Sequence, residues 1–178
     1  MLMAQVTDTH IVAPGKLANG RVDTAAMLRA CVDSVRALTV PPDLLVLTGD
    51  LVDAGAADEY AHLKSLLAPL SLPTLVIAGN HDSREGLRAA FPGLPSSGFV
   101  QYVHDAGPLR FVALDTLVGG RRALTCPSPA HQIPLDLRDE PFEGFDFEPP
   151  GFMLHRWTGD GLVTHQQPVG TFAGPFPF

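Results

Sequence analysis

Three short runs rich in Val, Leu and Ile constrain this chain more than any other feature: residues 2–7 (LMAQVT), 44–48 (LLVLT) and 74–78 (TLVIA). Each is bounded by polar, Gly or Pro positions, and runs this short and apolar fit strands buried on both faces. Between the first two, DTAAMLRACVDSVRAL gathers Met27, Leu28, Cys31, Val32, Val35 and Leu38 on one helical face. Asp23 or Thr24 serves as N-cap and Pro41-Pro42 as the stop. Between the second and third, DEYAHLKSLLAPL repeats the pattern through Tyr60, Leu63, Leu66, Leu67 and Leu70. Strand, helix, strand, helix, strand predicts right-handed crossovers and a largely parallel sheet.

Further along, REGLRAAF reads as a short helix. FVQYVH (99–104) and LRFVALD (109–115) flank a Gly-Pro turn and read as a hairpin. Beyond Gly119 the character changes. Nine of the 17 prolines fall in the last 60 residues, and residues 136–148 carry six carboxylates against one Arg. That predicts an extended tail with short strands near 151–157 and 161–166 and no helix. The 178 residues and 46% hydrophobic content suit one domain over 1–178, with an α/β portion at 1–118 and Pro-rich strands and tail at 119–178.

A net charge of −7, with Arg121-Arg122 as the only adjacent basic pair, argues against a nucleic-acid polymer or an anionic membrane as partner. Cys31 and Cys126 are too few for a disulfide framework, which fits a reducing cytoplasm. The N-terminus lacks the features of a secretory leader, and no apolar run reaches the length of a membrane span.

Each of the three apolar runs is followed by a polar cluster: Asp8-Thr9-His10, Gly49-Asp50-Leu51-Val52-Asp53 and Gly79-Asn80-His81-Asp82. In an open parallel sheet functional groups collect at the carboxyl ends of strands, so the three clusters should converge on one edge. Taken singly, the first could be a helix-capping turn and the second an ordinary turn with a capping Asp. The third is sharper, because Asn, His and Asp after a buried strand are costly without partners. Asp, His and Asn together suit Mn, Fe, Zn or Co, and the glycines let the backbone turn sharply after each strand.

In that order, D-x-H, G-D-x-x-D and G-N-H-D resemble the calcineurin-like metallophosphoesterases, in particular the bacterial branch with cyclic-nucleotide and glycerophosphodiester phosphodiesterases. AQVTDTHI, PDLLVLTGDLVD, AGNHDSREGLRAAF and, in the tail, AHQIPLDL, EPPGFMLH and GLVTH carry the likeness over 1–118 and 121–178. The resemblance implies an α/β fold, a truncated α/β/β/α sandwich with a largely parallel first sheet. Helices would flank that sheet on one side. A second sheet, built from 99–115 and the tail, would pack on the other. It implies divalent metal ions (Mn, Fe or Zn) and hydrolysis of a small phosphate ester. Asp8 and His10 would hold a first metal, Asp50 would bridge two, and Asn80 would hold the second. His81 would donate a proton to the leaving alkoxide or, with Asn80, contact the substrate phosphate. Asp53 and Asp82 would support the site without being ligands.

The chain departs from the family pattern at FVALDTLVGGRRALTCPSPAHQ. There the segment carrying a later metal-binding His and the G-H-x-H motif has no counterpart, which reads as an internal deletion. The expectation is one metal held tightly and a second weakly. Among His104, His131, His155 and His165, none of which matches a missing ligand, His131 is the best placed substitute. Half a sandwich also leaves apolar faces uncovered, which favours a homo-oligomer. The alternative is a catalytically impaired remnant that binds a divalent metal or phosphate without turnover. A nucleotide-binding doubly wound domain is excluded by VTDTHIVAPG, which is no Gly-rich phosphate loop.

Overall fold

A computed structural model describes residues 1–115, 128–130 and 149–170. The expected alternation is present: β1 (Leu2–Thr7), α1 (Thr24–Arg36), β2 (Leu44–Thr48), α2 (Ala57–Leu67), β3 (Thr74–Val76) and α3 (Arg84–Ala90). The hairpin follows as β4 (Tyr102–Ala106) and β5 (Leu109–Ala113), and the tail supplies β6 (Gly151–Trp157) and β7 (Leu162–Pro168). No helix among the described residues is long and apolar enough to cross a membrane.

Local chemistry accounts for the helix limits. Asp23 caps α1 by accepting from the Ala26 N–H at 2.8 Å. In the first turn of α2, Glu59 reaches back to the N–H groups of Ala54 (2.9 Å) and Ala56 (3.2 Å). The helix tightens into a 3-10 turn over Ala68–Leu70, so the last residues of the predicted segment are not α-helical, as Pro69 cannot donate to the ladder. Ser83 caps α3 through the Gly86 N–H at 2.8 Å.

The strands form one five-stranded sheet in the order β3-β2-β1-β6-β7, and β4 and β5 form a separate two-stranded sheet. β1, β2 and β3 are parallel, in register from Met3 opposite Leu44 to Thr7 opposite Thr48. The pleat divides their side chains between two cores. Ala4, Val6, Leu45, Leu47 and Val76 pack under α1, α2 and α3 with Leu28, Val35, Tyr60, Leu63 and Leu87. Met3, Leu44 and Leu75 pack on the opposite face, against Tyr102, Leu109 and Phe111 of the hairpin. The helices thus lie on one side of the sheet and the second, smaller sheet on the other.

The tail strands differ from expectation. They do not extend the hairpin's sheet; β6 pairs antiparallel with β1, Leu2 opposite Arg156 to Gln5 opposite Met153, and β7 pairs with β6. The physical reason is the open edge of β1, whose backbone groups need a partner. Phe152, fully buried, anchors β6 in the helix-side core.

Candidate metal centre

The three polar clusters meet where β1, β2 and β3 end. Beyond its last strand residue, the β1 loop stays paired with the β2 loop: Asp8 N–H donates to Thr48 O (3.0 Å), His10 N–H to Asp50 O (3.0 Å) and Ile11 N–H to Leu51 O (3.1 Å). Asp8 and His10 take positive φ values of 51° and 41°. For L-residues this conformation costs about 1–3 kcal/mol each and persists only where surroundings enforce it. Enforcement comes from the pairing above, from Thr24 Oγ donating to His10 O (3.0 Å), and from Ser128 Oγ donating to Asp8 O (2.9 Å).

Carboxylates and backbone amides then interlock from loop to loop. Asp8 Oδ1 accepts from the Asp50 N–H at 3.3 Å, and Asp50 Oδ1 accepts from the His81 N–H at 3.0 Å. Two glycines make this approach possible. A Cβ on Gly49 would overlap the Asp8 carboxylate, and one on Gly79 would overlap the Asp50 carboxylate and backbone.

Donor atoms of Asp8, His10 and Asp50 all lie within 4.8 Å of one another, and the same holds for His10, Asp53 and His81. His10 links the two groups, with Nε2 3.9 Å from Asp50 Oδ2 and Nδ1 3.5 Å from Asp53 Oδ1. A histidine with a carboxylate beside each ring nitrogen can bind a metal through one nitrogen and be oriented through the other. The His81 ring stands edge-on to His10, centroids 5.0 Å apart. Its Nδ1 lies 2.5 Å from the Asp53 carbonyl, which can only accept, so Nδ1 carries a proton and Nε2 is the nitrogen left for another partner. Asn80 is exposed in the same loop.

Asp82 turns away from this cluster. It is buried and accepts from the N–H groups of Leu51 (3.2 Å) and Gly79 (2.8 Å) and from the Tyr60 O–H (2.9 Å). Burial pushes its carboxyl above the ordinary range, and the Asp50 charge adds to this against the lowering effect of the three hydrogen bonds. Burial likewise raises the Tyr60 phenol, followed by the neighbouring Asp82 charge.

Asp8, His10, Asp50 and His81 therefore lie together at one sheet edge, and Asp82 lies beneath them, bonded to both the Asp50 loop and the Asn80-His81 loop. Asp53 stands beside both histidines. Thr24, Tyr60 and Ser128 were not read from the sequence as parts of the site; of these only Tyr60 left a signal, a phenol tip on a core helix position that must find a partner. His104, His155 and His165 join neither group of candidate ligands among the described residues, and His131 lies outside them. His155 instead bridges Gln5 Oε1 and Thr164 Oγ1, each at 2.9 Å, across the sheet.

The donor set fits a divalent cation. Asp8, Asp50 and Asp53 crowd around one imidazole, and oxygen and nitrogen donors at mutual ligand spacing favour a positive charge among them. A sequence model of calcineurin-like phosphoesterases matches residues 1–171. The chain belongs to the calcineurin-like phosphoesterase family. Among its relatives, a probable glycerophosphodiester phosphodiesterase of Arcobacter nitrofigilis is 27% identical over 264 aligned positions, covering 100% of this chain and 97% of the relative. A probable cyclic nucleotide phosphodiesterase of Rhodopseudomonas palustris is 40% identical over 119 residues, covering 66% of this chain and 43% of the relative. The 3',5'-cyclic adenosine monophosphate phosphodiesterase of Pseudomonas aeruginosa is 34% identical over 120 residues, covering 67% of this chain and 43% of the relative. The chain thus spans less than half the length of the last two.

Proposed function

We propose that this member of the family hydrolyses small phosphodiesters or related phosphate esters, using a divalent cation held by Asp8, His10 and Asp50. The observation that carries the reading is the convergence of those three donors within 4.8 Å at the ends of two parallel strands. A divalent cation there would supply Lewis acidity, withdrawing charge from a phosphoryl oxygen and lowering the pKa of a water so that hydroxide is available as nucleophile at neutral pH. Asp53 orients His10 through Nδ1. His81, with Nδ1 committed to the Asp53 carbonyl, donates a proton from Nε2 to the departing alkoxide or binds a phosphate oxygen, and Asn80, exposed in the same loop, would contact substrate and hold a second metal more weakly. Mn, Fe and Zn all suit these donors.

Cyclic nucleotides and glycerophosphodiesters are the substrate classes suggested by the relatives' names. An alignment of 264 positions against a chain of 178 residues supports an internal deletion of the segment that carries further histidines in the family. We place the protein in the cytoplasm as a single domain and a homo-oligomer. Support for the last comes from Val103, Val112 and Leu114 of the hairpin segment, each more than half exposed. Light scattering that returned only monomer would rule out the oligomer.

The decisive experiment is hydrolysis of a chromogenic aryl phosphodiester by chelated protein reconstituted with Mn or Zn, beside Asp50→Ala. Turnover restored by metal and lost in the variant is the expected result. Folded protein without turnover under any metal would leave a non-catalytic remnant.

A further inference from the structure

We propose that Tyr60 and Asp82 act as a positioning pair that fixes the distance between the loop bearing Asp50 and the loop bearing Asn80 and His81, so that metal affinity depends on a hydroxyl in the core. The inference rests on the reading that this site holds a cation. A single oxygen, Asp82 Oδ2, accepts from both Leu51, the residue after Asp50, and Gly79, the residue before Asn80. The other carboxylate oxygen is held as well. Oδ1 takes the Tyr60 O–H at 2.9 Å, and the Tyr60 oxygen in turn accepts from the Ser83 N–H at 2.9 Å.

Tyr60 comes from α2 and is 2% exposed. Its ring passes so close to Gly86 of α3 that a Cβ there would overlap it. The fold thus leaves a notch in one helix to bring a phenol from another beneath the two loops. Ring packing alone would be met by Phe. The hydroxyl is what completes the link from α2 through Asp82 to both halves of the site. Tyr60 is too buried to touch substrate, and its role is exerted through Asp50 and the Asn80-His81 loop. Groups that orient metal ligands from behind change affinity by about 10- to 100-fold when removed.

The test is Mn2+ titration calorimetry on wild type, Tyr60→Phe and Asp82→Asn, with thermal unfolding of each and aryl phosphodiester kinetics at saturating Mn2+. The expected result is Mn2+ binding weakened by about 10- to 100-fold in Tyr60→Phe, an effect larger than any change in KM at saturating metal. Asp82→Asn should lose less, because its amide keeps an acceptor for Leu51 and Gly79 and offers a donor to the Tyr60 oxygen. A Tyr60→Phe protein that melts lower yet binds Mn2+ as wild type does would overturn the inference and leave the proposed function intact. Wild-type protein that binds neither Mn2+ nor Zn2+ would overturn both. Should Tyr60→Phe fail to fold, wild-type Mn2+ affinity in folded Asp82→Ala, which has no acceptor for Leu51, Gly79 or Tyr60, would overturn it equally.

Discussion

The geometry of the site is set by what two glycines lack. Gly79 lies against the Asp50 carboxylate, the Asp50 N and the Gly49 carbonyl carbon, and the backbone atoms among these neighbours cannot move aside as a flexible side chain would. Gly79→Ala should therefore cost about 1–3 kcal/mol or more in urea unfolding, the range of overpacked interiors, and should weaken Mn2+ binding in parallel. Gly161, with nothing near its would-be Cβ and no left-handed φ, is the matched control; Gly161→Ala should stay within about 0.5 kcal/mol of wild type. Equal behaviour of the two variants would show that the crowding at Gly79 is relieved without consequence. The glycines of G-D and G-N-H were visible in the sequence as turn formers, but sequence could not tell that each is required by a carboxylate from a different loop.

At the scale of elements, β3 is, among the described residues, an edge strand of three residues, and its outer ladder is closed by a side chain. The Tyr102 O–H donates to Val76 O and its oxygen accepts from Val76 N–H, both at 2.8 Å. One phenol does the work of a neighbouring strand and pins the hairpin to the sheet. Burial raises the Tyr102 pKa, more than its bond to Val76 lowers it, so it stays a donor at neutral pH. Tyr102→Phe keeps the packing on Leu75 and strands both Val76 groups, at a cost of about 1–3 kcal/mol measurable by chemical denaturation. Amide exchange at Val76 should accelerate with it. A variant as stable as wild type would mean that water satisfies the strand equally well. The element assignments themselves were legible because period and caps are local: Asp23 before α1 and the Gly-Pro turn between β4 and β5 both stand where the sequence signals them. The partner of β6 was not legible, since strand character says nothing about which open edge a strand will meet.

For the molecule as a whole, the seam where the tail joins the parallel strands carries a pH dependence. His155 on β6 links Gln5 of β1 to Thr164 of β7, and burial lowers its pKa from the usual 6.5. The folded state then binds fewer protons than the unfolded state once pH drops below about 6.5, so stability is full above that value and falls as pH descends toward the lowered folded pKa. Melting temperature should decline from pH 7.5 to pH 5, and His155→Gln should flatten that decline while leaving the pH 7.5 value close to wild type. A variant whose acid sensitivity matched wild type would assign the effect to other groups.

Sequence by itself determined the alternation of strands and helices, the caps and turns, and the candidate ligands, because each depends on residues within a few positions of one another. It placed Asp8, His10, Asp50 and His81 at strand ends, and parallel pairing then brought those ends to one edge. Only the tertiary structure decided that Asp53 faces His10, that Tyr60 reaches Asp82 from another helix, that Ser128 holds the Asp8 carbonyl from 120 residues away, and that the tail joins the first sheet. These depend on which buried polar group meets which across packed elements, and hydrogen-bond satisfaction between distant segments leaves no periodic trace in a single chain.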